Sequence, residues 1–107
     1  MEAANICKAI DSDLIDRLAA RLSVVKKVYI IGLGGSLANA IHMAADLRKL
    51  CEVDAEAFDN IAELSARAND EGMASIFGGW LSRATKDDAL VVLSVGGGTP
   101  GVSAGIV

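Results

Sequence analysis

Apolar residues recur at Ile10, Leu14, Leu18, Leu22 and Val25 over roughly residues 3–25. Spacings of four and three put them on one stripe of an amphipathic helix, with Asp11, Asp13, Asp16, Arg17 and Arg21 on its other faces. This helix is long for so short a chain and precedes the first strand, so part of its stripe is expected to be a subunit contact. Val28-Tyr29-Ile30-Ile31 then runs apolar without alternation, as in a parallel strand covered on both faces. Gly32-Leu33-Gly34-Gly35-Ser36 interrupts it, and residues 37–50 read as a helix with Leu37, Ile41, Ala44, Ala45 and Leu47 inward. From Cys51 to Phe58, Glu52, Asp54 and Glu56 alternate with Val53, Ala55 and Ala57, which predicts a strand with one wet face near an edge.

Asp59-Asn60 opens the next helix, where Asn60 and Glu63 have the spacing of a capping box. Asn69-Asp70-Glu71-Gly72 breaks it, and Ile76, Phe77, Trp80 and Leu81 carry a further helix as core residues. Lys86-Asp87-Asp88 is a turn before a third continuous apolar strand, Ala89 to Ser94. Gly96-Gly97-Gly98-Thr99-Pro100-Gly101 follows, and Val102 begins another helical pattern. Strand, glycine loop and helix thus occur twice. Alternating elements of this kind predict an α/β fold with a doubly wound parallel sheet of about three strands, and ligands at the strands' carboxyl ends.

Composition narrows the function classes. The 107 residues are 52% hydrophobic and 22% charged, with a mean hydropathy of +0.42, which excludes disorder. Ten basic against fourteen acidic residues, a net charge of -4, argue against a nucleic-acid partner. No apolar run has the length of a membrane helix, and MEAANICKAIDSD has no signal-peptide pattern, so a cytoplasmic location is expected. Cys7 and Cys51 are isolated and are expected to be reduced, buried thiols.

The chemistry concentrates in the glycine loops. In Gly32-Leu33-Gly34-Gly35-Ser36 the backbone can approach an anion closely, with the Ser36 hydroxyl beside N–H groups of a helix start. A plain strand-to-helix turn is the alternative. Leu37 breaks the dinucleotide pattern G-x-G-x-x-G, and there is no Gly-Lys-Ser/Thr of a nucleotide-phosphate loop. Ser94-Val95-Gly96-Gly97-Gly98-Thr99 repeats the hydroxyl-bearing logic, and adjacent parallel strands would deliver both loops to one crevice suited to a phosphorylated small ligand. Asn39, His42, Asp46 and Lys49 recur at helical spacing, with His42 and Asp46 four apart on one face. Such a pair can shuttle protons or share a divalent metal, and the plain reading is a polar surface stripe.

The stretch IIGLGGSLANAIHMAADL resembles the first signature of sugar isomerase (SIS) domains of the phosphoheptose isomerase kind. AFDNIAELSARANDEGMASIF is similar to that family's middle segment, and ALVVLSVGGGTPGVSAGIV to its phosphate loop and following helix. The resemblance divides the chain into an N-terminal helix, 1–25, that makes an oligomer contact, and an SIS domain, 26–107, incomplete at its C-terminus. It implies a flavodoxin-like three-layer fold and a homo-oligomer, dimer or tetramer. The implied activity is aldose–ketose isomerisation of a phosphosugar, sedoheptulose 7-phosphate to a heptose 7-phosphate, through an enediol. Carried over residue by residue, Gly34, Gly35, Ser36, Ser94, Gly97 and Thr99 bind the phosphosugar and Asp59 lines the pocket. His42 and Asp46 match the catalytic pair and the candidate ligands of a zinc ion. Asp46 stands in place of a glutamate, Leu33 of an Asn, Val95 of a polar residue and Gly96 of a Ser. These departures, with a Gln and a His that the family carries further on, favour the alternative of a non-catalytic phosphosugar-binding or protein-interaction module.

Overall fold

A computed structural model describes Asn5 and residues 9–96 of the chain. Asp11 caps the first helix, α1 (Ser12–Leu22), its Oδ1 accepting from the Asp13 and Leu14 N–H groups. Next come β1 (Val28–Ile31), α2 (Gly35–Cys51) and β2 (Ala55–Ala57). The helix α3 (Ile61–Glu71) starts as its capping spacing predicts, with Asn60 Oδ1 accepting from the Glu63 N–H at 3.0 Å. Asn69, Asp70 and Glu71 belong to this helix, and Gly72, at φ 89°, ends it. A 3-10 turn (Met73–Ser75), the short α4 (Ile76–Trp80) and a second 3-10 turn (Leu81–Arg83) lead to β3 (Ala89–Val92).

The three strands are parallel in the order β2-β1-β3, with Val28 opposite both Ala55 and Ala89. Alternation along β1 splits the core in two. Val28 and Ile30 pack with Ala55 and Ala57 against Leu22 of α1 and Ala40 and Ala44 of α2. Tyr29 and Ile31 face the other way and pack with Phe58, Ile76, Phe77 and Trp80. Here Phe58 and Trp80 stack at 4.8 Å between ring centroids, and Tyr29 meets Trp80 edge-on at 5.5 Å. The expected three-layer α/β arrangement with a doubly covered central strand is therefore present.

Further local expectations are corrected or refined. In α2 the residues that face the sheet are Ala40, Met43, Ala44 and Leu47, while Ile41 and Ala45 are exposed. The helix is apolar on several sides, so its periodicity leaves the inward face ambiguous. Cys51 and Glu52 close α2 rather than start a strand: Glu52 takes a left-handed conformation at φ 55°, and Cys51 is exposed. Glu56 keeps a partly exposed side chain, as the alternation predicts, and also joins an ion-pair network: Lys27 Nζ and Arg83 Nη2 reach its two carboxylate oxygens at 2.7 and 2.8 Å. Finally, β3 is covered on one side only. Ala89, Val91 and Leu93 pack beside the α1–α2 core, whereas Leu90 and Val92 are 40% and 49% exposed.

Candidate functional site

All three strands run the same way, so the segments that leave them emerge at one edge of the sheet. Phe58 N–H donates to Ile30 O, and Leu93 N–H to Ile31 O at 2.9 Å, so Asp59 and Ser94 each follow the last rung beside β1. Gly32 to Ser36 leaves β1 between them. The topology thus brings Gly34, Gly35, Ser36, Asp59 and Ser94 to the carboxyl edge. Gly97 and Thr99 lie outside the described residues.

Gly32 is set by contact with the helix. A Cβ at this position would lie 2.7 Å from the Ser36 carbonyl carbon and oxygen. Only a glycine lets the end of β1 lie this close to the first turn of α2. Gly34, the residue before the helix, has φ 61° and ψ -126°, a conformation that favours glycine. Its carbonyl accepts from the Leu37 and Ala38 N–H groups, and no side chain caps the helix start among the described residues. A helix N-terminus approached through glycines suits an anion because its dipole is positive there, although the Ser36 N–H donates to Leu33 O at 3.2 Å and the Leu37 N–H to Gly34 O at 3.1 Å. Ser36, half-buried, stands in that first turn.

His42 and Asp46 are brought together, with Nε2 and Oδ2 3.2 Å apart. Their side chains are 78% and 53% exposed and line an open groove of about 400 Å³ with Asn39, Met43, Leu47, Leu50 and Cys51. Six residues separate His42 from Ser36, ~9 Å along the axis and two-thirds of a turn round it. The pair and the glycine loop therefore share a helix but not a face. Leu50 and Cys51 were not anticipated beside the pair, although positions 42, 46 and 50 have helical spacing. For zinc the donor set falls short: among the described residues no three His, Cys, Asp or Glu converge, and a tight site takes three or four protein ligands.

At the opposite edge a cavity of about 650 Å³ is lined by Arg21, Lys26, Lys86, Asp87 and Asp88. Lys26 pairs with Asp87 at 3.8 Å, and Asp88 accepts from the Thr85 N–H and hydroxyl, so these groups mainly tie the turn before β3. No described helix is long and apolar enough to cross a membrane.

With this geometry in hand, comparison with solved structures finds a protein of the same architecture. The chain is similar in fold to phosphoheptose isomerase GmhA from Neisseria gonorrhoeae. The likeness covers 92% of this chain at a TM-score of 0.75 and 25% identity. It covers 56% of the GmhA chain, so the present chain spans little more than half the length of that protein. No family model and no curated protein matches the sequence.

Proposed function

We propose that the chain binds a phosphorylated sugar and acts as an aldose–ketose isomerase of the phosphoheptose kind, converting sedoheptulose 7-phosphate to a heptose 7-phosphate. The observation that carries this reading is the likeness to phosphoheptose isomerase GmhA over nearly the whole chain. The glycine-lined start of α2 supports it as a phosphate seat, with Gly34, Gly35 and Ser36 on one side and Ser94, Gly97 and Thr99 on the other. Asp59, at the carboxyl end of β2, would line the sugar pocket. Asp46 would take the proton from one carbon of the substrate and return it to the neighbouring carbon through an enediol. His42, 3.2 Å from it, would orient the substrate oxygens. Anchoring the phosphate away from the reacting carbons would let remote binding energy serve positioning. No step is assigned to a metal, since the described donors do not make a zinc site. A cytoplasmic location accompanies the proposal.

A second reading is a phosphosugar-binding module without turnover. The exposure of His42 and Asp46 on a face of α2 apart from Ser36 favours it. Solvent-hydrogen exchange into sedoheptulose 7-phosphate, followed by NMR, separates the two. The isomerase reading predicts exchange by the parent chain and a loss of ~100-fold or more in Asp46→Asn, with phosphosugar binding retained. Binding without exchange would establish the module instead, and Asp46→Asn exchanging at the parent rate would remove Asp46 from the chemistry.

A further inference from the structure

We propose that the carboxyl edge of the sheet selects a deoxygenated phosphosugar, one that lacks a hydroxyl between its reacting carbons and its phosphate. The inference rests on the phosphosugar reading of this edge and narrows its substrate class. Each of the three segments that leave a strand here presents an exposed apolar residue. Leu33, after β1, is 39% exposed; Ile61, the first residue of α3, is 77% exposed; and Val95, after β3, is fully exposed. A single exposed apolar residue needs no explanation, but one from each segment at the same edge makes a patterned surface. Neighbouring strands lie ~4.8 Å apart, so the three segments start within ~10 Å of one another, the length of a small phosphosugar. Leu33 is tied to the glycine-lined start of α2, because its carbonyl accepts from the Ser36 N–H at 3.2 Å.

Polar groups are short along the same edge. Residues 32–36, 58–61 and 93–96 carry four polar side chains, Ser36, Asp59, Asn60 and Ser94. Asn60 Oδ1 is spent on the Glu63 N–H at 3.0 Å. With Ser36 and Ser94 assigned to the phosphate, Asp59 alone remains of these four to meet the sugar's hydroxyls. A hydroxyl laid against Leu33 or Val95 gives up water for no partner, whereas a methylene there gains by leaving water. Sedoheptulose 7-phosphate, hydroxylated on every carbon of that stretch, would be held less tightly than a sugar with a methylene in it.

Isothermal titration calorimetry of the full chain with glucose 6-phosphate and its 3-deoxy and 4-deoxy analogues reads the preference. At least one analogue is expected to bind ~10-fold more tightly than glucose 6-phosphate, the discrimination a hydrophobic contact gives for one small group. Leu33→Asn combined with Val95→Thr should bring the affinities to within ~3-fold of each other, since hydrogen-bonding side chains then meet the hydroxyl. Both positions are exposed, so the far-UV circular dichroism spectrum should be unchanged. Val24→Thr, at a position 78% exposed before β1 and at the opposite edge, should leave the ratio as it is in the parent. Equal or weaker binding of both analogues beside bound glucose 6-phosphate would overturn the inference and leave the phosphate seat standing. Binding of none of the three would remove the phosphosugar reading and the inference with it. A ratio that survives the Leu33→Asn, Val95→Thr double substitution would overturn the assignment to these side chains.

Discussion

Replacing Gly32 with Ala tests the idea that close approach of β1 to α2 builds the anion seat. The new Cβ would sit 2.7 Å from the Ser36 carbonyl carbon and oxygen and 2.9 Å from its Cβ. Carbon contacts are optimal at ~3.5–4.0 Å, so the first turn of α2 must recede by ~1 Å. The obstacle is helix backbone, which cannot swing away as a side-chain tip can. Gly32 has no positive φ, so the cost is steric and not conformational. Overpacking of this kind costs ~1–3 kcal/mol, offset by ~0.4–1 kcal/mol because Ala restricts the unfolded chain. The net loss is ~1–2 kcal/mol, or a fall in Tm of ~4–10 °C for a domain near this size. Gly35→Ala is the control, since a Cβ there meets nothing within 4 Å. Thermal unfolding by circular dichroism, with and without sedoheptulose 7-phosphate, reads both variants. Gly32→Ala should lose stability and most of the ligand-induced shift, and Gly35→Ala should hold its stability. A Gly32→Ala variant as stable as the parent would refute the close-approach argument.

Trp80→Ala should cost ~3–5 kcal/mol by denaturant titration, because it removes the ring stacked on Phe58 and edge-on to Tyr29 from a site only 5% exposed. The Glu56 carboxyl should make stability fall in acid. Burial pushes its pKa up, but hydrogen bonds and charge from Lys27 and Arg83 outweigh this and hold it below its ordinary value of 4.5. Its stabilising share is therefore present above that value and is lost as the pH falls through the lower folded pKa. Glu56→Gln should flatten that part of a Tm-against-pH curve, and an unchanged slope would contradict the assignment.

What could be read from the sequence follows the range of the interactions. The Asn60 cap, the four-residue spacing of His42 and Asp46 and the doubly covered β1 depend on neighbours within a turn or on a run of one strand. The Lys27–Glu56–Arg83 network joins positions 27 residues or more apart, and in the sequence Glu56 has the alternation of a solvated strand face. Leu90 and Val92 belong to an apolar run like that of β1, but burial on their side depends on what lies over β3. The placement of Gly34, Gly35, Ser36, Asp59 and Ser94 at one edge of the sheet was legible from the order of strands and loops. That His42 and Asp46 turn away from Ser36 depends on which side of α2 meets the sheet, and an apolar pattern on several sides does not encode that.

The most direct test of the phosphosugar reading is amide chemical-shift mapping of the ¹⁵N-labelled chain. Sedoheptulose 7-phosphate is predicted to perturb Gly34, Gly35, Ser36 and Ser94, and unphosphorylated sedoheptulose to leave them unmoved. Equal perturbation by both sugars, or none at these four amides, would contradict a phosphate seat at the carboxyl edge of the sheet.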